Sequence, residues 1–293
     1  MARVTNNTSG ATSTAEAYRA IIVSIEESIA ACGLVRTADT GQINPATVTI
    51  PTTVNTDVGY SVWRFSDALQ SVAPIFIKLM YRRGSNGQSL GAKWTIGTAT
   101  DGSGNFVGAS MESSALSGIS QTAATPTYDN YYTHSSGFFG IAHFVGIATG
   151  NTSPFTVFVQ RTVDNNGAPT AEGVVMTVSG TAATSTGSCY RMTFTSPPSQ
   201  RSYNSSYSTT IPGDLLDSRI NLDPQVFLCW TSLPKVKPLI ATAGYLVGEI
   251  TEKAQFSIAL VGVTPRNYIA LGPSAGRILN NAAGSNYAML WED

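Results

Sequence analysis

The chain has 293 residues, a net charge of −1 and only 12% charged side chains, about half the usual share, against 42% apolar ones. That length allows one large β domain or two smaller ones with a sizeable core. The charge pattern excludes a basic nucleic-acid footprint, since the densest cationic stretches are Arg82-Arg83 and Lys235-Val236-Lys237. The polar remainder is rich in Ser, Thr, Gly and Asn, a surface chemistry that favours packing against neighbours over solubilisation by charge.

Met1–Gly10 is polar and lacks the apolar stretch of a secretory leader, so none is expected, and residues 1–12 read as a disordered or partner-bound arm. No run reaches the roughly 18 apolar residues of a membrane helix. The clearest helix follows. Ser13 with Glu16 forms a capping box, Tyr18, Ile22, Ile25 and Ile29 make one apolar stripe, Glu26 and Glu27 lie off it, and Gly33 closes it. The stripe serves either this chain's own β layer or a neighbouring subunit, and the sequence leaves both open. The chain accordingly divides into an N-terminal arm and helix (1–33) and a β-rich core (34–293), with a second boundary possible near 196–224.

After Leu34 the pattern turns to strands. Thr47–Thr53 reads as a short one. From Tyr60 to Phe65 the chain alternates, with Tyr60, Val62 and Arg64 on one face and Trp63 and Phe65 on the other. Beyond Pro74, Ile75, Ile77, Leu79 and Tyr81 share a face, and Lys78 lies opposite with Phe76 and Met80. Lys93–Thr98 is the next strand, and Asp101-Gly102-Ser103-Gly104 is a tight connection that needs positive φ. Residues 109–136 and 196–224 are long polar segments without clear periodicity, read as an insertion or contact loops. Between and after them come strands at Phe138–Ile147, Phe155–Val163, Gly173–Ser179, Cys189–Thr195, Gln225–Thr231, Pro238–Ile250, Ala254–Val263, Tyr268–Leu271 and Tyr287–Trp291, with Asp164-Asn165-Asn166-Gly167 as a hairpin turn. The fold class is mainly β: an antiparallel sandwich-type core with one N-terminal amphipathic helix and long polar loops.

Signatures of catalysis are weak. Gly272-Pro273-Ser274-Ala275-Gly276 has the G-x-S-x-G spacing, but both histidines, His134 and His143, precede the serine, and a hydrolase of that type has its histidine after it. Cys32, Cys189 and Cys229 are far apart and lack metal-ligand spacing, and they read as free thiols of a reducing cytoplasm. Asp101–Asn105 offers oxygen donors without the distal carboxylate of an EF-hand loop. Asp214 with Asp217, or Glu249 with Glu252, would pair for glycoside cleavage only if folding brought them together. No phosphate-binding or dinucleotide fingerprint occurs. No enzyme activity, cofactor or metal is expected.

Three features of residues 58–108 occur in a fixed order: the run Val62-Trp63-Arg64-Phe65-Ser66-Asp67, the lysine-bearing strand Ile75–Tyr81, and the turn Trp94–Gly104 with the pattern W-T-x-G-T-x-x-D-G-x-G. This segment, about fifty residues long, resembles part of the virion structural proteins of tailed bacteriophages. The resemblance implies a structural subunit of the neck or collar, tail or baseplate, made in the host cytoplasm and located in the virion. Its partners would be copies of itself and other virion proteins, without nucleic acid or a membrane span. Tyrosine is enriched at such interfaces, which nominates Tyr128, Tyr131, Tyr132, Tyr203 and Tyr207 beside the helical stripe Tyr18, Ile22, Ile25 and Ile29. The alternative is a receptor- or carbohydrate-binding adhesin module of a phage fibre, and after it a depolymerase.

Overall fold

In the computed structural model, side chains are described for residues 14–31, 33–72, 74–83, 91, 93–108 and 110, and the backbone also for the strands that flank and follow them. The described architecture is mainly β, antiparallel at every pairing, with one N-terminal helix.

Strand β1 (Ala2–Asn7) precedes helix α1 (Ala15–Ala31). Thr14 caps the helix: its Oγ1 accepts from the Ala17 amide at 3.2 Å. The cap therefore falls one residue later than the box expected from Ser13 and Glu16, because Thr14 presents a hydroxyl at the right distance from the first free amides. Gly33 ends the helix at φ +84°, its amide bonding Ala30 O at 2.9 Å.

A six-stranded sheet follows, ordered β2 (Val35–Arg36), β3 (Asp57–Arg64), β4 (Phe76–Arg83), β5 (Ser89–Gly97), with β6 (Ser110–Glu112) and β7 (Ser117–Ser120) sharing the outer side of β5. The register sets Trp63 against Ile77 and Ile77 against Ile96, with Ser61 against Leu79 and Leu79 against Trp94. Period-2 alternation puts these residues on one face with Phe65, Ile75 and Tyr81, and that face is buried. Helix α1 covers it. Tyr18, Ile22, Ile25 and Ile29, joined by Ile21, are at most 2% exposed and belong to one core cluster with the sheet residues. Each isoleucine buried there contributes about 1.5–3 kcal/mol.

A further sheet is eight-stranded. Its order is β1, β8 (Thr127–Ser135), β9 (Phe138–Gly146), β10 (Thr152–Asp164), β11 (Pro169–Thr181), β12 (Thr184–Thr193) and β13 (Ser196–Asn204), and Val236–Pro238 pairs with the end of β10. Beyond it, Ile220–Asn221, Ala243–Leu246, Tyr287–Leu290, Arg266–Ala270 and Gln255–Ile258 form a five-stranded sheet, and Glu249–Ile250 pairs with Ser274–Ala275.

Several expectations change. Residues 2–7 are not a free arm but pair with β8 from Ala2↔Tyr132 to Asn7↔Thr127. The segments 109–136 and 196–224 contain β6, β7, β8 and β13 rather than being loops throughout. Main-chain pairing is indifferent to side-chain polarity, so Ser/Thr/Tyr-rich strands leave no hydrophobic period to read. Thr47–Thr53 is not a strand. Asn44 captures the chain instead, its carbonyl accepting from Thr47 N at 3.1 Å and Val48 N at 2.9 Å, and its Oδ1 accepting from Ala46 N at 3.1 Å. The expected strand Gln225–Thr231 lies outside the described residues.

Candidate functional site

The face of β3–β5 that points away from α1 carries Tyr60, Lys78 and Met80, and two loops close over its Tyr60–Lys78 end. The first, residues 37–43, runs on from β2 along the same edge of β3, Thr37 N donating to Val62 O and Ile43 N to Tyr60 O, each at 2.9 Å. Gln42 acts there as a side-chain substitute for a strand: its Oε1 accepts from Val62 N at 2.7 Å, and its Nε2 donates to Thr37 O at 2.8 Å and Asp39 O at 3.0 Å. Val62 is fully buried beneath this loop, although it stands on the outer face.

The second loop is the Asp101–Asn105 turn. Asp101 closes it through Oδ1, which accepts from Ser103 N at 2.7 Å and Asn105 N at 3.2 Å, while Asn105 Nδ2 donates to Oδ2 at 2.8 Å. These bonds, the Asn105 side-chain bond foremost, hold the Asp101 carboxyl below its ordinary pKa. Gly102 and Gly104 sit at φ +80° and +79°, as the turn chemistry requires.

The two loops are bolted together and to the sheet. Asp39 accepts from Gly104 N at 2.9 Å and from the Thr100 hydroxyl at 3.2 Å, and Thr40 N donates to Gly102 O at 2.8 Å. Lys78 Nζ rises from β4, donates to Gly104 O at 2.7 Å and lies 4.3 Å from the centre of the Tyr60 ring. Partial burial lowers the Lys78 pKa, opposed by Asp101 and Asp39. The Tyr60 hydroxyl stands 2.6 Å from Thr40 O and 2.8 Å from Ser103 O, and its single proton serves one at a time. Desolvation, then the charges of Asp39 and Asp101, raise its pKa. A Cβ on Gly104 would fall 2.2 Å from the Tyr60 ring, so the turn docks only because that residue is glycine.

On the opposite face, between α1 and the sheet, lies a buried polar cluster. Glu26 is 5% exposed. The sequence reading had it off the apolar stripe with Glu27, but it stands only about 40° round the helix from Ile22 and therefore faces the sheet. Its Oε1 accepts from the Ser61 hydroxyl and, at 2.6 Å, from the Tyr81 hydroxyl, while Ser61 Oγ accepts from Trp63 Nε1 at 3.0 Å. Oε2 has no hydrogen-bond partner, and Arg36 Nη1 stands 3.8 Å from it. Burial raises the Glu26 pKa against the pull of these donors, and burial beside Glu26 pushes the Tyr81 phenol well above its ordinary value near 10.

The residues nominated from sequence separate. Tyr18, Ile22, Ile25 and Ile29 lie in the chain's own core. Tyr128, Tyr131 and Tyr132 are in β8, where Tyr131 pairs with Arg3 and Ala142, and Tyr132 with Ala2 and Ile141. By strand alternation positions 128 and 132 share one face, and 131 takes the other. Tyr203 is in β13 opposite Gly187. Tyr207, Asp214, Asp217, Glu252, Cys32 and Cys229 lie outside the described residues. Ser274 of the G-x-S-x-G stretch pairs with Ile250. His134 and His143 stand on the paired strands β8 and β9, opposite Phe139 and Asn130 respectively. Among the described residues no group of three or more His, Cys, Asp or Glu converges as a metal site. None of Asp39, Gln42 and Glu26 was singled out from sequence. Only Glu26 left a signal, its helical spacing from Ile22; the partners of Asp39 lie more than sixty residues away.

Comparison with protein-family models, with curated proteins and with solved structures finds no match.

Proposed function

We propose that the chain is a structural subunit of a tailed-bacteriophage virion, of the neck, tail or baseplate, and that it works by assembly with copies of itself and with other virion proteins rather than by catalysis. A sandwich-type packing of its β layers belongs to the same reading. The observation that carries it is the use made of the segment behind the resemblance. Trp63, Phe65, Ile77 and Trp94 are core residues, while Lys78 and the Asp101–Gly104 turn form a bolt between sheet and loops. Lys78, Asp101 and Asn105 of that segment are thus spent on rigidity, which suits a building block. The low share of charge supports packing against neighbours in the same way.

The test has two arms. Light scattering of the purified recombinant protein is expected to give a defined ring or other closed oligomer, and mass spectrometry of purified particles is expected to find the chain. A monomer absent from particles overturns the proposal and brings a sugar-binding adhesin forward.

A further inference from the structure

We propose that Glu26 is a proton-operated latch between α1 and the β2–β5 sheet, which tightens the docking of the helix when its carboxyl is protonated and loosens it as the proton leaves. The argument begins with an imbalance. A carboxylate taken out of water needs hydrogen bonds on both oxygens and a close cation to offset the lost hydration. Oε1 is well served, by Ser61 and Tyr81. Oε2 is not.

The nearest cation is tied elsewhere. Arg36 spends Nε on Gln42 Oε1 at 3.1 Å and Nη2 on the Ile43 carbonyl, and its guanidinium lies 5.9 Å from the centre of the Trp63 ring. Its remaining nitrogen is thereby held at 3.8 Å from Oε2, beyond hydrogen-bonding range. The loop that closes the edge of β3 thus also keeps the counter-ion at a distance.

Among the described side chains, the groups that face Glu26 are Tyr81 from β4, Arg36 from β2, and the neutral Ser61 and Trp63 from β3. Tyr81 keeps its proton across the ordinary pH range, because burial and Glu26 hold its phenol well above 10. Glu26 is therefore the group in this cluster whose charge changes. Its carboxyl meets the hydroxyls of Ser61 and Tyr81 between α1 and the sheet, inside the core, so the charge it gains acts directly on the helix–sheet contact.

The sign follows from linkage. The folded-state pKa is raised above the ordinary 4.5, so the stabilisation is fully present below pH 4.5 and is lost as pH rises through the folded value. Between those two values the equilibrium constant for opening α1 rises up to about tenfold per pH unit, and above them it levels off.

The experiment is amide hydrogen exchange of α1 in the full chain from pH 4.5 to 9, corrected for intrinsic rates, with urea unfolding in parallel. The wild type is expected to show protection that falls with rising pH and then levels, and Glu26→Gln a profile without that fall. Tyr81→Phe removes a donor to the charged form, so its fall is expected to extend to higher pH. A purely structural role for Tyr81 would lower protection equally at every pH. A wild type whose protection does not change with pH, or a Glu26→Gln profile parallel to the wild type, overturns the proposal.

Discussion

Gly102 and Gly104 share nearly the same backbone angle yet differ in what surrounds them. Space is open around Gly102, whereas a Cβ at Gly104 would meet the Tyr60 ring at 2.2 Å. Replacing Gly102 by Ala is expected to cost about 1 kcal/mol, the price of positive φ alone. Gly104→Ala is expected to cost about 2–4 kcal/mol, because the loop must also leave Tyr60 and Lys78. Urea midpoints of the two variants check this, and equal midpoints would mean that the turn is not seated on the sheet. The turn itself was legible as D-G-x-G, since positive φ is a local demand of the chain. Its seat was not, because Tyr60 and Asp39 lie far away in sequence and nothing local marks them as partners.

Helix α1 shows how an element divides into legible and illegible parts. Tyr18, Ile22, Ile25 and Ile29 announced a stripe, and the structure buries all four against β3–β5. Ile25→Ala is expected to cost about 2–5 kcal/mol through the cavity it leaves, while Glu27→Ala, on the exposed side, should stay within about 0.5 kcal/mol. Thermal or urea unfolding reads both, and similar costs would contradict the orientation of the helix. Glu26 escaped the sequence reading because burying a carboxylate is unfavourable unless donors meet it, and Ser61 and Tyr81 are 35 and 55 residues away. Strands β6, β7, β8 and β13 escaped for a related reason, since their polar side chains hide main-chain pairing.

At the scale of the whole molecule, the division at residue 33 drawn from the arm and the helix pattern falls within a single hydrophobic cluster. Removing residues 1–33 would strip Tyr18, Ile21, Ile22, Ile25 and Ile29 from the sheet and take β1 from the edge of β8. The truncated chain is expected to lose cooperative unfolding and to aggregate through the uncovered face of β3–β5. A sharp urea transition from a soluble truncated protein would show instead that the sheet holds its shape without the helix.

The sequence by itself determined the antiparallel β character from Tyr60 to Thr98, the helix with its apolar stripe and Gly33 stop, and the tight turn at Asp101–Gly104. These are properties of periodicity and local backbone chemistry, written within a few consecutive residues. Only the tertiary structure decided that the stripe serves the chain's own sheet, that Glu26 lies inside, that residues 2–7 join β8, and that Lys78 and Asp39 bolt two loops to one face. Each of those rests on contacts between residues distant in the chain, where the gain from burial or a hydrogen bond depends on partners that no local pattern records.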